Sequence, residues 1–258
     1  MIDTHTHLYV EQFDDDRSDM IERAIKNGVS KFLLPNINVD TISEMEKMTV
    51  NFPNACYAMM GLHPSEIKEN WEEQIEQIKT FFQRGHHVGI GEIGIDLYWD
   101  KTYREEQIHA FRAQIRWAKE EKLPVSIHCR NSFDEILMVL DEENDDDLSG
   151  VLHCFTGNLE QANHIINYGN FKLGIGGVVT FKKSGLDEVL KHIDLEHLVL
   201  ETDSPYLAPT PYRGKRNESG YVPFIAQKLS NIYGVSEEEI DQITTKSALE
   251  IFKLLQHE

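Results

Sequence analysis

The chain has 258 residues, and its 25 Lys and Arg against 44 Asp and Glu give a formal net charge of -19. That length fits one α/β barrel of about 250 residues, and the acidic balance excludes a protein that grips long duplex DNA through a global basic surface. No apolar run approaches the roughly 18 to 20 residues of a membrane span, and Met1-Ile2-Asp3-Thr4-His5 lacks a basic segment followed by an apolar one, so a cytoplasmic protein without a secretory signal is expected.

Short apolar runs rich in β-branched residues alternate with longer amphipathic stretches, the signature of βα units around a parallel sheet. The runs fall at 1–8, 31–37, 55–62, 88–93, 125–129, 151–154, 171–175 and 198–201. Between them, helical periodicity is evident over 17–26, 41–48, 71–82 and 103–121; in the last, Ile108, Phe111, Ile115 and Ala118 form one stripe expected to face the sheet. The run 141–147, acidic except for Asn144, reads as an exposed loop after a helix. Two helices, 222–233 and 236–255, close the chain, the second opened by Ser236 with Glu239 three residues later in a capping-box pattern. No Pro-, Gly- or Ser-rich linker divides the sequence, and no Gly-x-Gly-x-x-Gly follows the first strand, as a doubly wound dinucleotide-binding sheet would require. The expected fold is α/β, a single (β/α)8 TIM barrel over residues 1–258.

Residues two apart on a strand share a face, so His5 and His7 can present both imidazoles inward from the first strand. The ends of later apolar runs carry Glu92, His128, His153 and Asp203. In a barrel the C-terminal strand ends converge on one mouth, and a mixed set of imidazoles and carboxylates there suits divalent ions such as Zn²⁺, Mn²⁺ or Mg²⁺. A single histidine at a strand end more often caps backbone groups; six ligand-type residues at such ends point to a joint metal site. Cys129 and Cys154 follow two of these candidates, and strand alternation is expected to send both thiols to the helix layer as small hydrophobes. With Cys56 they make a sparse, odd set expected to stay reduced. His86, His87, His109, His164, His192, His197 and His257 lie in helical or loop contexts and are not ligand candidates.

These residues resemble the TatD-type metal-dependent deoxyribonucleases, a branch of the amidohydrolase-like barrels. The likeness runs almost end to end, through Asp3-Thr4-His5-Thr6-His7-Leu8, Gly61-Leu62-His63-Pro64, Gly91-Glu92-Ile93-Gly94-Ile95-Asp96, Pro124-Val125-Ser126-Ile127-His128-Cys129-Arg130, His153-Cys154-Phe155-Thr156-Gly157, Glu201-Thr202-Asp203-Ser204-Pro205-Tyr206-Leu207-Ala208-Pro209 and Arg213-Gly214-Lys215-Arg216-Asn217-Glu218. The resemblance implies that His5, His7, Glu92, His128, His153 and Asp203 hold divalent cations, two per subunit, for hydrolysis of phosphodiester bonds in DNA, at single strands or ends. Tyr9 stands where many relatives have Asp, and Ser219-Gly220 where Pro-Ala is usual.

On this reading the cations activate water, Glu92 bridges or shares them, and Asp203 is the candidate proton acceptor. His63 and Arg130 are placed to contact the scissile phosphate, while Arg213, Lys215 and Arg216, the densest basic patch, would track the nucleic-acid backbone. Tyr98, Trp99 and Tyr206 offer faces on which a base could stack. No membrane and no obligate protein partner is expected. The alternatives are an amidohydrolase-like enzyme acting on a lactone, amide or other ester, and a catalytically silent metal-binding protein.

Overall fold

The computed structural model describes residues 1–256. Eight parallel strands pair in chain order: β1 (Ile2–Asp3), β2 (Lys31–Pro35), β3 (Cys56–Met60), β4 (Gly89–Asp96), β5 (Val125–Arg130), β6 (Gly150–Leu152), β7 (Phe171–Ile175) and β8 (Leu198–Leu200). The crossovers carry α1 (Arg17–Lys26), α2 (Ile42–Asn51), α3 (Trp71–Phe82), α4 (Arg104–Glu121), α5 (Phe133–Glu143), α6 (Leu159–Asn167) and α7 (Leu186–Leu190), and α8 (Val222–Tyr233) and α9 (Glu237–Ile251) follow β8. The TIM-barrel expectation therefore holds. No helix among the described residues is long and apolar enough to cross a membrane.

The strands are apolar on both faces because both faces are covered. Phe32, Leu34, Ala58, Met60, Ile127, Leu152, Leu173 and Leu198 pack outward with the helices in one core, to which the α4 stripe of Ile108, Phe111, Ile115 and Ala118 contributes as expected. Residues that alternate with them, Ile2, Leu33, Tyr57, Met59, Val151 and Val199, form a second cluster with Ala248, Ile251, Phe252 and Leu255. The C-terminal segment thus plugs one end of the barrel with hydrocarbon, leaving the other end to polar groups. Ser236 N-caps α9 by accepting from the Glu239 backbone N–H at 3.1 Å.

The junction between β8 and β1 is closed by bonds beyond the ladder proper. Thr4 donates its backbone N–H and its hydroxyl to Leu200 O at 2.9 and 3.0 Å. The Asp3 carboxylate, fully buried, accepts from Thr202 N at 2.9 Å and from the Thr202 hydroxyl at 2.6 Å. Past the seam, Asp203 N donates to His5 O and His7 N to Ser204 O, at 2.9 and 2.8 Å. Burial pushes the Asp3 carboxyl up to about 7, against the opposing pull of hydrogen bonds from Ser219 and Thr202.

Three expectations need correction. The first ladder strand covers only Ile2–Asp3, so His5 and His7 ride on the segment beyond it, pinned by the seam bonds and by Thr6 N donating to Leu33 O. β4 extends to Asp96, so Glu92 is mid-strand. The acidic run does not begin as a loop: Asp141 to Glu143 form the last turn of α5, where Arg112 pairs with Glu142 and Arg116 with Glu143. Compensation by α4 arginines allows carboxylates at a helix C-terminus, where the dipole alone disfavours them.

Asp3→Ala removes the acceptor for a buried backbone N–H, and an unfolding free energy lower by about 1–3 kcal/mol is expected in urea titrations. For Asp3→Asn the readout is pH. With a folded value of about 7 above the ordinary 3.8, the Asp3 contribution to stability is complete below 3.8 and lost as pH rises through 7; this part of the slope should vanish in the variant, and an unchanged slope would contradict it.

Candidate metal centre

The polar mouth is built around Glu92. The β4–β5 pairing shifts register between Ile90 and Ile93, the kind of irregularity that re-aims a side chain next to a functional site. Gly94 lets the two strands approach: at φ +142°, a Cβ there would stand 2.1 Å from His128 O. Glu92 is 2% exposed, and its two oxygens face different imidazoles. Oε2 lies 3.1 Å from His5 Nε2 and 3.3 Å from His7 Nε2. Oε1 lies 2.8 Å from His128 Nδ1, 3.1 Å from His153 Nε2 and 3.4 Å from His63 Nε2. Asp203 Oδ1 completes the first side, at 3.6 Å from His7 Nε2 and 3.9 Å from His5 Nε2.

All six sequence candidates, with His63, therefore meet in one place. Among the described residues, three trios have ligand atoms within 4.8 Å of one another: His5, Glu92 and His153; His5, His7 and Asp203; His63, Glu92 and His128. Nitrogen and carboxylate donors at this spacing fit a divalent cation. Burial by itself disfavours the Glu92 carboxylate, but His63, His5 and His153 more than reverse it and hold the group well below the ordinary range. Burial pushes Asp203 the other way, to about 6, with His153 and His7 pulling it back. Desolvation lowers His5. His128 is raised despite its burial, because both ring nitrogens face carboxylates, Asp96 at 3.0 Å and Glu92.

A family model described as TatD related DNase matches residues 2–253. The chain belongs to this family. Among its relatives, the uncharacterized metal-dependent hydrolase YabD of Bacillus subtilis is 38% identical over 255 residues, covering 98% of this chain and 99% of that one. The 3'-5' ssDNA/RNA exonuclease TatD of Pectobacterium parmentieri is 33% identical over 261 residues, covering 98% and 100%. The crystal structure of YJJV, a TatD homolog from Escherichia coli, superimposes with a TM-score of 0.91 at 28% identity over 98% of each chain. The TatD-related chain is thus a metal-dependent hydrolase on a TIM barrel.

Behind the candidate ligands stands a layer that assigns their protons. The Tyr9 hydroxyl is 2.6 Å from Pro35 O, which only accepts, so Tyr9 donates there and accepts from His7 Nδ1–H at 3.0 Å. That leaves the His7 Nε2 lone pair for the centre. Glu201, fully buried, faces His153 Nδ1 at 3.5 Å, an ion-pair distance without a hydrogen bond; Gly174 makes room, since a Cβ there would meet Glu201 Oε2 at 2.1 Å. His5 Nδ1 is 2.9 Å from Ser126 Oγ. His63 is opposite in sense: its Nδ1 accepts from Ser65 N at 3.1 Å, so in the neutral ring Nε2 carries the proton and points it at Glu92.

Sequence reasoning gave no roles to Tyr9, Asp96, Ser126 and Glu201. Asp96 was findable, since it shares the inward face of β4 with Glu92; Glu201 was masked because an acid on a strand flank reads as solvated. Cys129, as expected, packs against the helix-side core, and burial pushes its thiol up to about 12. Cys154 departs from expectation. β6 ends at Leu152, so alternation no longer applies; Cys154 adopts φ 47°, and burial together with Asp203, Glu201 and Glu92 raises its thiol. Arg130 ends β5 exposed, its guanidinium 4.0 Å from the Tyr98 ring centroid. Arg213 lies 4.2 Å from the Phe181 ring centroid, and it and Lys215 are exposed and form no ion pair among the described residues. Arg216 donates to both Asp16 oxygens at 2.7 and 2.8 Å and to Gln12 O at 2.8 Å, over the Phe13 ring. His86, His87, His109, His164, His192 and His197 belong to none of the ligand trios, and His257 lies outside the described residues.

Tyr9→Phe keeps the ring but strips the acceptor from His7 Nδ1–H, and metal affinity should fall about tenfold in competition with a chromophoric chelator; unchanged affinity would reduce Tyr9 to a space-filler. Arg216→Gln should lower the urea midpoint at neutral pH. Arg216 first, then Arg23, holds Asp16 down at about 2, so the stability they confer is present above 3.8 and lost as pH falls through 2. The deficit of the variant should accordingly shrink below pH 4, and a deficit independent of pH would refute the pairing.

Proposed function

We propose that this TatD-related hydrolase cleaves phosphodiester bonds of DNA, at single strands or ends, as one barrel domain holding two divalent cations. The observation that carries the reading is Glu92, whose oxygens divide the imidazoles into two groups as a bridging carboxylate would. His5, His7 and Asp203 would hold one cation and His128 and His153 the other, with Glu92 available to both. A donor set this rich in imidazole favours Zn²⁺ or Mn²⁺ over Mg²⁺. The chemistry supplied there would be Lewis acidity toward a phosphoryl oxygen and a lowered pKa of water.

The chain's own groups supply the rest. Asp203 is the proton acceptor in this reading, through the carboxylate oxygen that does not face His5 and His7. His63 presents Nε2–H and serves as a hydrogen-bond donor to an anionic oxygen rather than as a ligand. Arg130 at the β5 end, with Arg213 and Lys215 on the loop after β8, supplies positive charge at the mouth of an otherwise acidic protein. These cations favour a phosphodiester over a neutral lactone or amide. The name carried by the Pectobacterium relative, an ssDNA/RNA exonuclease, supports the same class.

End-labelled single-stranded DNA with Mn²⁺ or Zn²⁺ tests the proposal. Wild type should shorten it, chelator should stop the reaction, and Glu92→Ala and Asp203→Ala should reduce cleavage to background while keeping the folded circular-dichroism spectrum. Turnover of a lactone without any cleavage of DNA would overturn the substrate class; full activity in either variant would overturn the assigned roles.

A further inference from the structure

Tyr98 and Trp99 leave β4 directly into solvent. Trp99 is 79% exposed, more than any other large hydrophobic side chain among the described residues, and Tyr98 is 49% exposed. Their rings meet edge to face at 4.6 Å and 89°. The Arg130 guanidinium lies over them, 4.0 Å from the Tyr98 centroid and 5.6 Å from that of Trp99. This group is fastened to the centre. Tyr98 N donates to Asp96 Oδ1 at 2.9 Å, the other Asp96 oxygen is 3.0 Å from His128 Nε2, and Leu97 N donates to Arg130 O at 2.9 Å. Tyr206, 50% exposed, is tied to the opposite side through its backbone N–H, which donates to Asp203 O at 2.8 Å. β4 and β8 are four strands apart in an eight-stranded barrel, so the two aromatic edges face each other across the mouth.

An exposed tryptophan is costly to solubility and adds nothing to the core. Its flat apolar face beside a phosphate-compatible arginine suits a nucleobase on a sugar-phosphate chain. We propose that Trp99, Tyr98 and Arg130 form a stacking shelf for an unpaired nucleobase on one side of the scissile phosphodiester, with Tyr206 receiving a base on the other. The inference rests on the nucleic-acid reading above and specifies what it recognises. Bases within a duplex have both faces covered and cannot use the shelf, so single strands and frayed ends are selected. Affinity arises from stacking, which every base offers, rather than from counterion release, which a chain of charge -19 is poorly equipped to exploit.

The experiment compares two oligomers of equal length and charge in the metal-loaded, full-length protein: oligothymidylate, and an oligomer of stable abasic residues with two terminal thymidines carrying the label. In wild type the KM of the abasic oligomer should exceed that of oligothymidylate by about tenfold, the scale of one lost base stack. In Trp99→Ala that ratio should collapse toward one, through a rise in KM for oligothymidylate; Trp99→Phe should restore most of it. Metal content and thermal midpoint of each variant are read alongside. A Trp99→Ala protein that keeps the wild-type ratio, or a wild type that does not distinguish the oligomers, removes the shelf while leaving nuclease function standing. A wild type that cleaves neither oligomer removes the nucleic-acid reading itself.

Discussion

A buried carboxylate is tolerable only where positive or hydrogen-bonding groups replace the water it gives up. Glu92 is such a group, and five imidazoles from β-strand ends and their following loops converge on it. Much else in the mouth follows from that convergence. Imidazoles are packed against one another, as His5 and His153 are with centroids 3.7 Å apart, and from behind Tyr9 assigns the proton of His7 while Glu201 and Asp96 set negative charge beside His153 and His128. For His7 the outcome is a lone pair aimed inward and fixed before any ligand arrives, the preorganisation that metal sites require of their outer layer.

The barrel serves this arrangement at both ends. Hydrocarbon from the C-terminal segment seals one opening, so a polar cluster is confined to the other. At the seam, the bonds that join β8 to β1 are made by residues adjacent to the candidate ligands, so closing the barrel and placing His5, His7 and Asp203 are one structural event. Asp203 itself adopts φ 55°, a left-handed conformation that costs a non-glycine residue about 1–2 kcal/mol. Such strain persists where surrounding bonds over-determine the backbone, and the seam supplies them.

Surface charge is distributed with a similar division of labour. Most arginines are spent on acids: Arg23 and Arg216 on Asp16, Arg104 on Glu135, Arg112 and Arg116 on the α5 terminus. Among the described cations that form no ion pair, Arg130, Arg213 and Lys215 each lie against an aromatic ring, Lys215 at 6.0 Å from that of Tyr212. Local fields of this kind concentrate positive potential even though the molecule as a whole is strongly acidic.

The alternation of apolar runs and amphipathic stretches was enough to specify a parallel barrel, because each strand is buried on both faces and each helix on one, and periodicity records burial directly. The ligand-type residues at strand ends were legible for the same reason: the fold brings those ends to one place whatever the loops do. What a linear pattern could not carry was direction and partnership. That Arg216 pairs with Asp16, 200 positions away, that Cys154 turns with a left-handed backbone rather than following strand alternation, and which nitrogen of His7 holds its proton were decided by contacts between distant segments. Those contacts exist only once the chain has closed on itself, which is why the tertiary structure alone supplied them.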